Sequence, residues 1–228
     1  MTSLSPSGAG RSSRFAVEFL TGDGIVLRGE IQGASERWVV LVHDENADLD
    51  VWRPLVAHLL DLSLCPLAFD LRGHGASDDP WDPRRAVLDV ETAIRFARGR
   101  GAEKIVVVGE GAGATAALVA AGRERVAGVV LLSPRAELDG GEPDAIRDYR
   151  GPKLLIAGGG GAEAVASAQR VQRRSIGWTS LLTPPVDEQG AALLRSAWAD
   201  HAREAIESFL RDYLPPATND RGSVAPTT

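Results

Sequence analysis

Five short apolar runs punctuate the chain with no polar residue inside them: Trp38–Val42, Pro66–Phe69, Ile105–Val108, Val129–Leu132 and Leu154–Ala157. A strand with one wet face alternates polar and apolar positions, so uninterrupted runs predict strands covered on both faces. Between the runs the apolar spacing changes period. Trp52, Leu55, Val56, Leu59 and Leu60 recur at helical intervals, as do Val87, Val90, Ile94 and Ala97. A last helix is predicted to carry Leu194, Trp198, Ala202, Ala205, Ile206, Phe209 and Tyr213 on one face. Ahead of the first run, Phe15–Leu20 and Ile25–Gln32 flank Thr21-Gly22-Asp23-Gly24, which reads as a hairpin. Strands alternating with helices imply an α/β architecture, a mostly parallel sheet with helices on both faces. Ligands of such sheets bind beyond the carboxyl ends of the strands, so the loops after the runs are where chemistry is sought.

Composition narrows the field. At 228 residues the chain can bury a core without a disulfide or a metal. Its single cysteine, Cys65, excludes an internal disulfide and a cysteine-rich zinc site. A net charge of −6 with no long basic run speaks against nucleic acid or an anionic membrane as partner. Of 25 basic residues 23 are Arg, a bias of GC-rich bacterial coding rather than a functional signal. Residues 1–13 and 215–228 lack a periodic apolar face and read as disordered tails around one domain, 14–214. The N-terminus has no apolar stretch of the signal-peptide kind, and no run approaches the roughly 18 residues of a membrane span. The expected location is the cytoplasm.

Three loops carry chemistry-bearing motifs. Val42-His43-Asp44 follows the first run, Asp70-Leu71-Arg72-Gly73-His74-Gly75-Ala76-Ser77 the second, and Gly109-Glu110-Gly111-Ala112-Gly113 the third. In order and spacing these resemble the α/β-hydrolase fold family over residues 14–213. The resemblance implies an eight-stranded, mostly parallel sheet. About 18 residues separate Ser133-Pro134 from Lys153, too few for a lid, so the chain is similar to small members without a cap domain. The D-x-R-G-H-G-x-S turn is read as architectural, His74 included.

The family's nucleophile elbow is G-x-S-x-G, on a sharp strand-to-helix turn. Here the outer glycines, Gly109 and Gly113, stand and the centre is Gly111, which has no side chain to attack with. The resemblance places the acid at Gly161, with Glu163 in the first turn of the next helix, and the base at Gln189. It therefore implies no catalytic residue at these three positions. Around the oxyanion loop, Asp44, Glu45 and Glu110 stand where an anion would be opposed; they are expected to be solvated, with Glu110 favouring a helix N-terminus. The alternative is an acidic mouth that selects a cationic ligand or a basic partner. His43, Asp44, Glu45, Glu110, Gly111, Ala112, Ser133 and Gln189 are the candidate pocket residues. Ser77, Thr115 and Cys65 are weighed as substitute nucleophiles and read as structural. No cofactor and no metal are expected.

Two functions follow. One is a non-catalytic protein of this fold that binds a small molecule or another protein. The other is an esterase-like hydrolase with an unconventional nucleophile such as Ser133.

Overall fold

A computed structural model describes residues 13–136 and 145–216. Of the expected tails only Ser13, Pro215 and Pro216 are among them, and none of the three joins a regular element; the rest lies outside the described residues. The hairpin comes first, β1 (Arg14–Leu20) and β2 (Val26–Gln32), closed by Gly24 N–H donating to Thr21 O at 3.0 Å. Then follow β3 (Arg37–Val42), α1 (Arg53–Asp61), β4 (Cys65–Phe69), α2 (Ala86–Gly99), β5 (Lys104–Glu110), α3 (Gly111–Arg123) and β6 (Gly128–Leu132). The chain continues through β7 (Lys153–Ile156), α4 (Ala162–Arg174), β8 (Thr179–Leu182) and α5 (Ala199–Tyr213).

The eight strands form one sheet in the order β1-β2-β4-β3-β5-β6-β7-β8. β1, β2 and β4 pair antiparallel in succession; every other pairing is parallel. All five apolar runs fall on β3 to β7, and each alternates its side chains between two cores. Val40, Val42, Val107 and Leu131 pack on one face with α2 and α3 residues such as Ile94 and Leu118. Val39, Leu41, Val106 and Val130 pack on the other with Leu55, Leu59, Ile206 and Phe209 of α1 and α5. Covering on both faces is why these strands carry no polar alternation.

The last helix is shorter than its apolar spacing predicts. Leu194 belongs to a separate 3-10 helix, Gly190–Arg195, and α5 begins only at Ala199. Ser196 interrupts the two in an extended conformation (ψ 175°), its hydroxyl accepting from Trp198 N–H at 3.1 Å.

Two buried charged groups fix the frame. Arg72 donates to Asp89 of α2 (2.6 Å) and to Asp23 in the hairpin turn (2.8 Å). Lys153, at the start of β7, is fully buried; its ammonium donates to Gly151 O (2.6 Å) and Ile176 O (2.7 Å) beneath the Tyr149 ring. Burial pulls its pKa down to about 8.

Candidate functional site

The carboxyl ends of β3, β5, β6 and β7 meet the 190–195 helix at a cleft of about 870 Å³. Parallel strands deliver it: each turn leaves the sheet at the same edge. Among the candidate residues, Asp44, Glu110, Gly111, Ser133 and Gln189 line the cleft, as do Gly161 and Glu163.

At the end of β5 the chain turns straight into α3 at Gly111, whose φ is +55°. Close approach demands the flanking glycines. A Cβ on Gly113 would stand 2.1 Å from His43 O, and one on Gly109 2.7 Å from the Ala114 Cα. At Gly111 the obstacle is different: a Cβ would fall 2.2 to 2.4 Å from the carboxyl atoms of Asp44. That carboxylate accepts from Ala112 N–H at 2.8 Å.

The acidic residues are not the solvated set expected from the sequence. Glu110 is buried, and burial raises its pKa above the ordinary carboxylate value. Nor does it cap α3: it makes no capping hydrogen bond there. Its side chain turns across the sheet edge instead and accepts from Ala191 N–H at 2.5 Å, with Asp44 N–H at 3.4 Å. Asp44 and Glu45 share a guanidinium: Arg135 Nη2 lies 3.4 Å from the first carboxylate and 2.6 Å from the second. The chain thus supplies its own cation to the acidic rim, and Glu45 stands outside the cleft lining, paired to Arg135 at its edge.

His43 leaves the candidate lining altogether. It is fully buried behind the cleft, where Nε2 accepts from Leu71 N–H (2.9 Å) and Nδ1 donates to Asp44 O (2.7 Å). Burial lowers its pKa and holds the ring neutral. Ala112 contributes its N–H but is itself buried. His74 lies between Arg72 O and Glu45 O, an architectural place in agreement with the sequence reading.

Beyond β7, the run Gly158–Gly161 passes under Gln189. A Cβ on Gly161 would stand 2.4 Å from Gln189 Nε2, so positions 161 and 189 are neighbours. The Gln189 amide is saturated. Its oxygen accepts from Ser133 Oγ (2.7 Å) and Gly158 N–H (3.0 Å), and its nitrogen donates to Gly158 O (2.9 Å) and Asp187 O (3.1 Å). Ser133 follows β6 with φ +46°, one of two non-glycine residues with positive φ among those described. Its hydroxyl also accepts from Gly190 N–H at 2.9 Å.

The other substitute nucleophiles are engaged elsewhere. Ser77 donates to Asp70 O at 2.6 Å, and Thr115 to Arg135 O at 2.6 Å. Cys65 is buried at the start of β4, and burial raises its thiol to about 11. The sequence reading missed Arg135 and Arg170, both in the cleft lining. Arg170 sits seven residues after Glu163 on α4, two helical turns along the same face, a spacing visible in the sequence.

A mostly parallel eight-stranded sheet with helices on both faces, and a strand–glycine–helix turn opening on a cleft at its carboxyl edge, define an α/β-hydrolase fold. The chain belongs to the alpha/beta hydrolase family, whose sequence model matches residues 39–227. It is 34% identical over 105 residues to the lipase LipV of Mycobacterium tuberculosis, a match spanning 45% of this chain and 39% of that protein. Among solved structures it is similar to the Pyrococcus furiosus esterase Pf2001 (TM-score 0.75, 19% identity, 89% of this chain and 93% of that one). DcsB, solved with its substrate analogue, superposes with a TM-score of 0.77 at 14% identity, over 90% of this chain and all of that one. The enol-lactonase of Burkholderia xenovorans LB400 gives 0.72 at 17% identity, over 85% and 99% of the two chains. At these identities the likeness is one of fold.

Proposed function

We propose that this protein is a non-catalytic member of the family that binds a small molecule in the cleft at the carboxyl edge of its sheet. The observation that carries the reading is the chemistry of three neighbouring positions. Serine hydrolysis needs a nucleophile, a base within hydrogen-bond reach and an acid that orients the base. At the corresponding places stand Gly111, Gly161 and Gln189, and the Gln189 amide has no lone pair basic enough to take a proton. Removing a nucleophile or a base alone costs a serine protease about 10⁶ in turnover. The cleft itself has the volume of a ligand site and mixed polar lining from Asp44, Glu110, Arg135, Arg170 and Gln189. Its own arginine already faces the acidic rim, so the ligand needs no cationic group to complete it.

Ser133 supports a second reading, an esterase-like hydrolase. A non-glycine residue in the left-handed region costs of order 1–3 kcal/mol, and such residues gather at functional sites. The esterase and lipase neighbours favour the same class. Against it, the Ser133 hydroxyl proton points at an amide oxygen, which cannot act as a general base.

Fluorophosphonate labelling of the purified protein, read by intact mass, separates the two. The expected result is no adduct, with ligands then found by thermal shift. An adduct that maps to Ser133 and disappears in Ser133→Ala would overturn the non-catalytic reading.

A further inference from the structure

The space above Gly111 is filled, and by a carboxylate. Asp44 reaches over the turn from the loop after β3 and places Oδ1 2.8 Å from Ala112 N, the amide next after the elbow's central residue. In hydrolases of this fold that amide helps hold the oxyanion. Two further contacts fasten the loop in place: Asp44 N–H faces Glu110 Oε1 and Arg135 Nη2 faces Asp44 Oδ1, each at 3.4 Å. Arg135 is in turn clamped to the elbow, its N–H donating to Gly111 O (3.4 Å) and its carbonyl accepting from Thr115.

The same construction occurs a second time. Gly75 has φ +49°, a Cβ there would fall 2.1 to 2.5 Å from the Asp70 carboxyl atoms, and Asp70 Oδ2 accepts from the next amide, Ala76 N–H, at 2.8 Å. Asp70 also accepts from Leu49 N–H at 2.9 Å, so its carboxylate is a fixed part of a turn. A left-handed glycine, an alanine amide and a carboxylate over both make a closed turn at each place.

Resting on the non-catalytic reading above, we propose that Asp44 is a built-in plug of the elbow. It takes both the volume of a nucleophile's side chain and the N–H that would hold a substrate's oxyanion, and it makes glycine obligatory at position 111. A side chain at 111 must expel the carboxylate from a charge-assisted hydrogen bond and from Arg135, not merely rotate it. Restoring the three triad side chains therefore does not restore serine chemistry while Asp44 remains.

A stability cycle tests the steric half. Gly111→Ala is made in the unaltered chain and in Asp44→Ala, with Asp44→Gly as a second background, and unfolding is followed in urea. Backbone strain at φ +55° is common to all backgrounds and cancels. The expected outcome is that Gly111→Ala raises the unfolding constant roughly tenfold or more beyond its effect in either Asp44 variant; failure to fold only in the unaltered background supports the plug equally. Equal costs in all three backgrounds overturn it.

Labelling tests the chemical half. Gly111→Ser, Gly161→Asp and Gln189→His are combined with Asp44 kept or with Asp44→Gly, and fluorophosphonate adducts at position 111 are read by mass. Labelling only with Asp44→Gly supports the plug. Equal labelling of both, or of neither, overturns it. An adduct at Ser133 of the unaltered protein would instead sink the non-catalytic reading and leave the stability cycle standing.

Discussion

Lys153 enters the interior with two carbonyl oxygens and a tyrosine ring around its ammonium. Its pKa of about 8 lies below the ordinary 10.5, so between those values the unfolded chain binds more protons than the folded one. Stability contributed through this group therefore rises with pH across that window, and below pH 8 the penalty is present in full. Lys153→Met removes the slope. In urea titrations the stability of the unaltered protein relative to Lys153→Met should climb by at most about 3 kcal/mol from pH 7.5 to 10.5. Parallel pH profiles would show that Lys153 keeps its charge inside at no cost. Nothing in the sequence marks this lysine, which merely opens an apolar run. That residues 111, 161 and 189 line one cleft was legible from the order of the loops after the strands. The place of Asp44 was not, since it depends on a loop folding over a turn 67 positions away in the chain. Glu110 was misjudged for the same reason: its partner, Ala191, comes from another element.

Among elements, the clearest dependence is that of the hairpin turn, the loop after β4 and α2 on one guanidinium. Arg72 is buried, Asp89 is wholly buried, and Asp23 closes the set from the turn. Arg72→Met keeps the volume but leaves Asp89 a buried carboxylate without its cation. A loss of about 3–5 kcal/mol is expected, and Arg72→Met with Asp89→Leu should recover much of it. Thermal melts of the single and double variants give the comparison; a single variant within 1 kcal/mol of the parent would show that Asp89 is not held as a charge. The D-x-R-G-H-G turn was read from sequence as architectural, and its Arg, His and Ser contacts agree. Continuous apolar runs fixed β3 to β7 to within a residue or two because burial on both faces leaves no other pattern. β8 carries no such mark. It is four residues long, half-buried at the sheet edge, and contains Thr179 and Ser180. The start of α5 was misplaced because Leu194 and Trp198 keep helical spacing across a break at Ser196, which periodicity cannot register.

For the molecule as a whole, every central strand feeds alternate side chains to two cores, so neither core can be lost while the sheet survives. Trp38 belongs to one and Trp52 to the other, with Trp81 and Trp198 packed against the first and second respectively. Unfolding monitored by tryptophan fluorescence and by far-ultraviolet circular dichroism should share one midpoint in urea. Separate midpoints would mean that one helical layer detaches on its own. The family itself was legible from three loop motifs, because they mark the shared carboxyl edge of the sheet.

Seen as a landscape of neighbouring sequences, the filled elbow separates this chain from its hydrolytic relatives in an unexpected direction. Gaining a side chain at 111 first meets the carboxylate of Asp44; removing Asp44 first strips Ala112 and Arg135 of a partner and gains no nucleophile. On the plug proposed above, either single step loses a contact, and a side chain fits at 111 only when both positions change. With that plug the turn acts as a ratchet: a side chain enters at 111 only after the carboxylate of Asp44 has given way.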